Sequence, residues 1–262
     1  MCVYVFLKFS DHYSKKWIGK KGSLFIIVRY TSVMPRPPLW YLKNIELFKG
    51  LSDDDMAELL KGILHGEYNQ KEFLYTPSDA VENVFLLKEG EVTLYRSVDG
   101  RKIILDVLKP GAVFGNIGFD VHSGESHFAE ITQKAFICTL PKNFFLQILQ
   151  KRPDIALQAL KVLSKRVSQY EMQIRTLSAL QARDRILATV HLLNEKERES
   201  ILPPILRMHT KITHEKLGNM TGLTRETVTK QLAELEKDGM IVVTGKHVEL
   251  TDMGRKAIMD IG

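Results

Sequence analysis

Four polar side chains crowd a short stretch near the C-terminal end of the chain, "TRETVTKQLAEL" from Thr224 to Leu235: Arg225, Glu226, Thr229 and Lys230. On a helix these positions share one face, while Val228, Leu232 and Leu235 at i, i+4 and i+7 share another. A charged face on the N-terminal half of a short helix suits the reading of base edges. Arginine offers a fork to guanine O6/N7, glutamate accepts from cytosine N4, and lysine donates to guanine. A small helical bundle with a solvated charged face has the same spacing, so the face alone leaves both readings open.

A base-reading helix needs a second element to hold it. "THEKLGNMTGLT" (Thr213–Thr224) has the parts. Thr213 caps a short helix, with Glu215 in its first turn and Lys216 where a capping box would put an acid. Leu217 and Met220 face inward, Gly222 makes the tight turn, and Thr224 caps the next helix. After a turn at Gly239, "MIVV" and "HVEL" flank Thr244-Gly245 and read as two strands. The order is that of a helix-turn-helix followed by a β-wing.

Upstream, from Lys71 to Leu140, the character is different. Apolar residues alternate in "NVFLLKEGEVTLYRSV", and turns are marked at Pro77-Ser78, Glu89-Gly90, Asp99-Gly100, Pro110-Gly111 and Ser123-Gly124. Short strands with Gly-bearing turns predict an antiparallel barrel or jelly roll. Asp99-Gly100 is the strongest hairpin signal, because a type I′ turn needs positive φ at both central positions. Before this region "LSDDDMAELLKGI" predicts a short helix capped by Ser52 or Asp53.

Between barrel and wing the period is helical. Pro153 opens a long helix on which Ala156, Leu160, Leu163, Val167, Tyr170, Ile174 and Leu177 step by four and three. Lys161, Lys165, Arg166 and Gln169 flank a narrow apolar strip, which favours pairing with a second copy of the helix over packing inside the domain. The register breaks at "SALQARDR", so a hinge is expected near Ser178–Ala182. The predicted class is α+β, with four parts. Residues 1–37 are a basic N-terminal extension, 38–152 an effector-sensing β-roll, 153–180 a dimerisation helix with hinge, and 181–262 a winged helix-turn-helix.

The net charge of +6 does not itself argue for DNA binding. The excess lies in residues 1–37, with seven Lys and Arg against Asp11. That extension lacks a clean period, and a second methionine, Met34, precedes the point where a regular pattern begins. It reads as a misassigned start or a disordered tail; a basic arm on DNA phosphates is the functional alternative. No stretch has the roughly 18 apolar residues of a membrane span. Cys2 and Cys138 form no metal-spacing motif or disulfide framework, which fits a reducing cytoplasm.

Taken in order, "VFLLKEGEVTLY", the Asp99-Gly100 hairpin, "LKPGAVFGNIGF", the helix after Pro153 and "ITHEKLGNMTGLTRETVTKQLAELEKDGMI" resemble the cyclic-AMP receptor (CRP/FNR) family of bacterial regulators across residues 45–250. The resemblance implies a cytoplasmic homodimer joined through the long helix, a β-roll that binds an effector, and a winged helix on a palindromic site in double-stranded DNA. Arg225, Glu226 and Lys230 match the family's base-reading positions. Thr213, Thr224 and Thr227 match phosphate-contacting ones, and Gly245-Lys246 matches the wing tip. Lys230 replaces the more usual arginine. RNA polymerase and an unidentified small-molecule effector are the further partners it implies.

The sensor departs from the pattern. Cyclic-AMP binders resemble "FGELGL…RSA", whereas this chain has Gly115-Asn116 and Ser126-His127, with Tyr170 and Glu171 at the two adenine-contacting helix positions. Losing the arginine removes the bidentate cation for a buried phosphate, and losing the glutamate removes a hydroxyl acceptor. Cyclic AMP is therefore not the expected effector. An iron–sulfur cluster would need about four thiolates. His122 and His127 are more simply read as surface or hydrogen-bonded residues than as haem ligands, and Cys138 as a packing thiol. Nothing resembles a catalytic constellation. The alternatives to a DNA-binding regulator are a ligand-binding module with a vestigial helix-turn-helix, or a regulator that needs no ligand.

Overall fold

The computed structural model describes residues 7–9, 12–14, 37–116, 127–178, 181–206 and 211–259. In the N-terminal extension two short strands, β1 (Leu7–Phe9) and β2 (His12–Ser14), pair antiparallel with Leu7 opposite Ser14. A ladder this short and local leaves no period in the sequence.

Helix α1 (Pro38–Asn44), a 3-10 turn (Glu46–Phe48) and α2 (Asp53–Gly62) cover one side of the β-roll. The N-terminus of α2 follows from its sequence. The Ser52 hydroxyl accepts from Asp55 N, and the Asp55 carboxylate accepts from Ser52 N, a complete capping box.

The roll comprises β3 (Leu64–Tyr68), β4 (Phe73–Tyr75), β5 (Asn83–Val98), β6 (Arg101–Leu108), β7 (Val113–Gly115) and β8 (Phe128–Pro141). The strand order is β3-β8-β5-β6, with β4 on β8 and β7 on β5, all antiparallel. The β5–β6 hairpin turns at Asp99-Gly100, whose φ values of 49° and 74° are those the dipeptide predicted.

Glu89-Gly90 is not the turn it was read to be. β5 runs straight through it, and the pairing with β8 shifts register there. Gly90 has φ +90° and lies so close to Lys134 that a Cβ would collide with its backbone carbonyl. A glycine inside a strand marks a bulge or a close approach as readily as a turn. Burial of β5 is also nearly continuous where alternation was expected. Val84 and Leu86 meet the helices, while Phe85, Leu87 and Val92 fill the roll interior, so both faces are covered.

Helix α3 (Lys142–Lys151) leads into α4 (Pro153–Ser178). Ile155 and Ala159 of α4 join the core beneath the roll. The winged helix follows: α5 (Ala182–Arg198), α6 (His214–Thr221), α7 (Arg225–Lys237), β9 (Ile241–Thr244), β10 (His247–Leu250) and α8 (Asp252–Met259). Its core is not closed on itself: Ile104 and Val107 of β6 pack into it beside Ile186, Val190, Leu217 and Met220. Among the described residues no helix is long and apolar enough to cross a membrane.

Candidate nucleic-acid interface

The helix-turn-helix is built from two side-chain caps and a glycine turn. Thr213 Oγ1 accepts from Lys216 N at 3.1 Å and starts α6. Gly222, at φ +71°, ends it by donating to Gly218 O at 2.9 Å. Gly218 is itself required, since a Cβ there would stand 2.8 Å from Leu223 O. Thr224 Oγ1 then accepts from Thr227 N at 3.2 Å and starts α7.

On α7, Val228, Leu232 and Leu235 are buried, while Arg225, Glu226, Thr229 and Lys230 are all exposed. The Glu226 carboxyl is held below the usual carboxylate range by its own backbone N–H and the Thr224 hydroxyl, so it is an ionised acceptor at the positive end of the helix. Thr229 is less free than its position suggests. Its hydroxyl bonds Arg225 O at 2.8 Å and His214 Nδ1 at 2.7 Å, locking α6 to α7. The hydroxyls of Thr213 and Thr224 serve as caps. They stand at helix N-termini, where free N–H groups suit a phosphate.

The wing is positioned from α5. Asn194 Nδ2 donates to Val248 O at 3.0 Å, and Asn194 Oδ1 accepts from Leu250 N at 3.2 Å. Gly245 turns at φ +63°, and Gly245 and Lys246 are exposed at the tip. Ile212 N donates to Lys246 O at 2.8 Å, tying the tip to the entry of α6.

The dimer-seam candidates form one uncovered face. Leu160, Leu163, Val167, Tyr170, Ile174 and Leu177 are between 37% and 64% exposed. Leu157, 62% exposed, extends this uncovered apolar surface one turn earlier and was not singled out from the sequence.

The sensor candidates separate. His127 and Tyr170 line one open cleft of about 1530 Å³ between the β5–β6 hairpin, the C-terminal half of α4 and the α6–α7 turn. Gly115 and Asn116 do not line it. Gly115 has φ +86°, and Asn116 Nδ2 donates to Val81 O at 3.1 Å, so this pair braces the end of β7. Glu171 is exposed, one step of about 100° around the helix from Tyr170. Ser126, His122 and Cys2 lie outside the described residues. His127 Nε2 is 3.0 Å from Tyr75 Oη. Burial, then Arg96 and Arg166, lower its pKa, against an opposing pull from Asp106. Arg96 and Lys102 also line the cleft. Their strand positions carry no signature in the sequence, so both were missed.

Cys138 is buried, but it is more than packing: its Sγ is 3.2 Å from His65 Nδ1, with Lys88 Nζ 3.1 Å from the same nitrogen. Among the described residues no three His, Cys, Asp or Glu converge as a metal site would require.

The β-roll and the winged helix are joined by buried charge. Glu91 on β5 receives Lys216 of α6 at 2.7 Å, Lys109 at 3.0 Å and Thr132 Oγ1 at 2.7 Å. Burial would raise its pKa, but Lys216 and Lys109 bring it down to about 2. Asp106 on β6 pairs with Lys196 of α5, and Arg166 of α4 stands 4.0 Å away.

Comparison with known proteins agrees with this architecture. A cyclic nucleotide-binding domain model matches residues 66–152, and a Crp-like helix-turn-helix domain model matches residues 175–255. The cAMP-activated global transcriptional regulator CRP of Pasteurella multocida is 29% identical over 184 residues, covering 70% of this chain and 87% of that protein. The anaerobic regulatory protein of Haemophilus influenzae is 27% identical over 188 residues, covering 70% and 71%. FixK2 from Bradyrhizobium japonicum shares the fold at a TM-score of 0.64 and 19% identity, covering 76% of this chain and 96% of that one. A cyclic nucleotide-binding domain followed by a Crp-like helix-turn-helix domain, with most of α4 running between the two matched segments, is the order of domains in the CRP/FNR transcription regulators to which this chain is similar.

Proposed function

We propose that the protein works as a homodimer that binds a palindromic DNA site, with α4 as the dimer interface and α7 entering the major groove of each half-site. The single observation that carries this reading is α7 itself. It is capped at Thr224, buried on one face, and presents Arg225, Glu226 and Lys230 to solvent at its N-terminal half. Arg225 reads guanine, Glu226 accepts from cytosine and Lys230 donates to guanine, while Thr213, Thr224, Thr227 and the Gly245-Lys246 wing tip take backbone phosphates. The apolar strip from Leu160 to Leu177 on α4 supports the dimer. On this reading 38–152 is the sensor, 153–180 the dimer helix and 181–262 the output, in a cytoplasmic regulator with RNA polymerase as a further partner.

A cyclic nucleotide does not fit this sensor. Asn116 and His127 stand where the family's ribose and phosphate ligands would be, and both are engaged within the fold, with Val81 O and Tyr75 Oη. The effector, where one acts, reaches α7 by a shift between two arrangements of the docked winged helix. Selection of binding sites from a random duplex library tests the function. The expected product is a palindrome with G·C pairs whose enrichment is lost with Arg225→Ala. A selection that returns no palindrome refutes the dimeric reading.

A further inference from the structure

We infer that the cavity where the 3-10 turn, the β6–β7 turn, α4 and α5 meet is a binding site for a small oxyanion, a phosphate or carboxylate group held by Arg166 and Lys196. The cavity measures about 190 Å³. That is the volume of roughly six liquid waters, enough for inorganic phosphate or a short dicarboxylate.

Its charges do not balance. Lys196 and Arg166 both line it, at 12% and 20% side-chain exposure, and they share one carboxylate, Asp106, which is 3% exposed. Two cations around one buried anion leave a net positive charge where screening is weak. The other lysines at the cavity are committed or solvated. Lys109 is held by Glu91 at 3.0 Å, Lys165 pairs at 3.0 Å with Glu199, which also lines the cavity, and Lys49 and the remaining lining carboxylate, Glu46, are both exposed to solvent.

Arg166 is also under-used as a donor. A guanidinium carries five N–H groups in a fixed fork. Among the described residues this one makes a single hydrogen bond, from Nη2 to Val113 O at 3.1 Å, and its Nε is 4.0 Å from Asp106, beyond hydrogen-bond reach. A planar or tetrahedral oxyanion accepts from two such donors at once, which a lone ammonium cannot match.

The site joins three units: Asp106 belongs to the roll, Arg166 to α4 and Lys196 to α5, the first helix of the winged domain. An anion there stabilises the docked arrangement of the three. It shares no lining residue with the cleft that holds His127 and Tyr170, and it does not depend on which DNA sequence is bound or on whether α7 binds DNA.

The test is thermal unfolding of the full chain with inorganic phosphate, with succinate, and with chloride at matched ionic strength. The expected result is a midpoint that rises with the logarithm of phosphate or succinate concentration above Kd, about 2–4 °C at tenfold excess over Kd. A response to phosphate alone assigns a phosphate-bearing ligand, and a response to succinate alone assigns a dicarboxylate. Arg166→Met should abolish the rise, Arg166→Lys should weaken it because the charge stays and the fork is lost, and Lys61→Met on the exposed face of α2 should leave it intact. If Arg166→Met fails to fold, Lys196→Met and Arg166→Lys decide the matter. A rise that chloride reproduces, that neither oxyanion produces, or that survives in every folded variant at Arg166 and Lys196 overturns the site.

Discussion

Glu91 of the β-roll and Lys216 of the first helix of the helix-turn-helix are 2.7 Å apart, both nearly excluded from solvent at 3% and 11% side-chain exposure. The pair joins the β-roll to the helix-turn-helix across 125 residues of sequence. Removing one member of a buried pair leaves the other charge stranded, which costs more than the pair itself contributes. Lys216→Met leaves Glu91 with Lys109 and Thr132 as remaining partners, so it should destabilise the protein by less than a fully stranded charge would, about 1–3 kcal/mol. Glu91→Gln combined with Lys216→Met should cost less than the sum of the single changes. Chemical denaturation of the four proteins of the cycle measures this, and strict additivity would show that the two residues do not interact.

Dimerisation is expected to fail when charge enters the seam. Leu163 lies mid-helix and is 38% exposed, surrounded by Leu160 and Val167 at 60% and 55%. Leu163→Asp should give monomers by sedimentation velocity and greatly weaken binding to a two-half-site duplex. Dimers that persist after this change would assign the interface elsewhere.

Base reading by Arg225 predicts a loss confined to particular base pairs. Arg225→Ala should cost about 1–3 kcal/mol, roughly 5- to 150-fold in Kd at fixed salt, and relax preference at one G·C pair per half-site. Lys246→Ala at the wing tip should weaken all sequences alike and flatten the salt dependence. Competition titrations against single-base variants of the site separate the two patterns.

His65 makes stability depend on pH in a window it shares with His127, whose pKa burial also lowers. Burial, reinforced by Lys88, lowers its pKa from 6.5 to about 4. A group whose folded pKa is depressed contributes fully above its unfolded value and loses that contribution as pH falls toward the folded one. Between pH 7 and pH 5 the loss should be about 2 kcal/mol. The carboxylates of Asp55 and Glu91, both near 2 in the fold, titrate out only below about pH 4.5. His65→Gln should lower the slope in the upper window and leave the acid one, by urea titrations at each pH. An unchanged slope in that variant would assign the upper window to another group.

What the sequence determined by itself is what neighbours along the chain decide. Asp99-Gly100 specified a hairpin because few dipeptides tolerate positive φ twice. Ser52, Thr213 and Thr224 specified helix starts because a side-chain oxygen three residues before a free N–H can reach it. The two faces of α7 and the strip on α4 followed from helical periodicity. Tertiary structure decided everything that joins distant segments. Lys216 at the start of a helix reads as a solvated charge until Glu91 faces it. Glu89-Gly90 reads as a turn until the Lys134 carbonyl claims the space of a side chain. His127 and Tyr170 share a cleft while Asn116 and Glu171, their neighbours in the sequence reading, do not. Asp106, Arg166 and Lys196 lie on three separate elements, and no local period could have shown that one carboxylate serves two cations. Burial and charge balance depend on which surfaces meet, and only the folded chain brings those surfaces together.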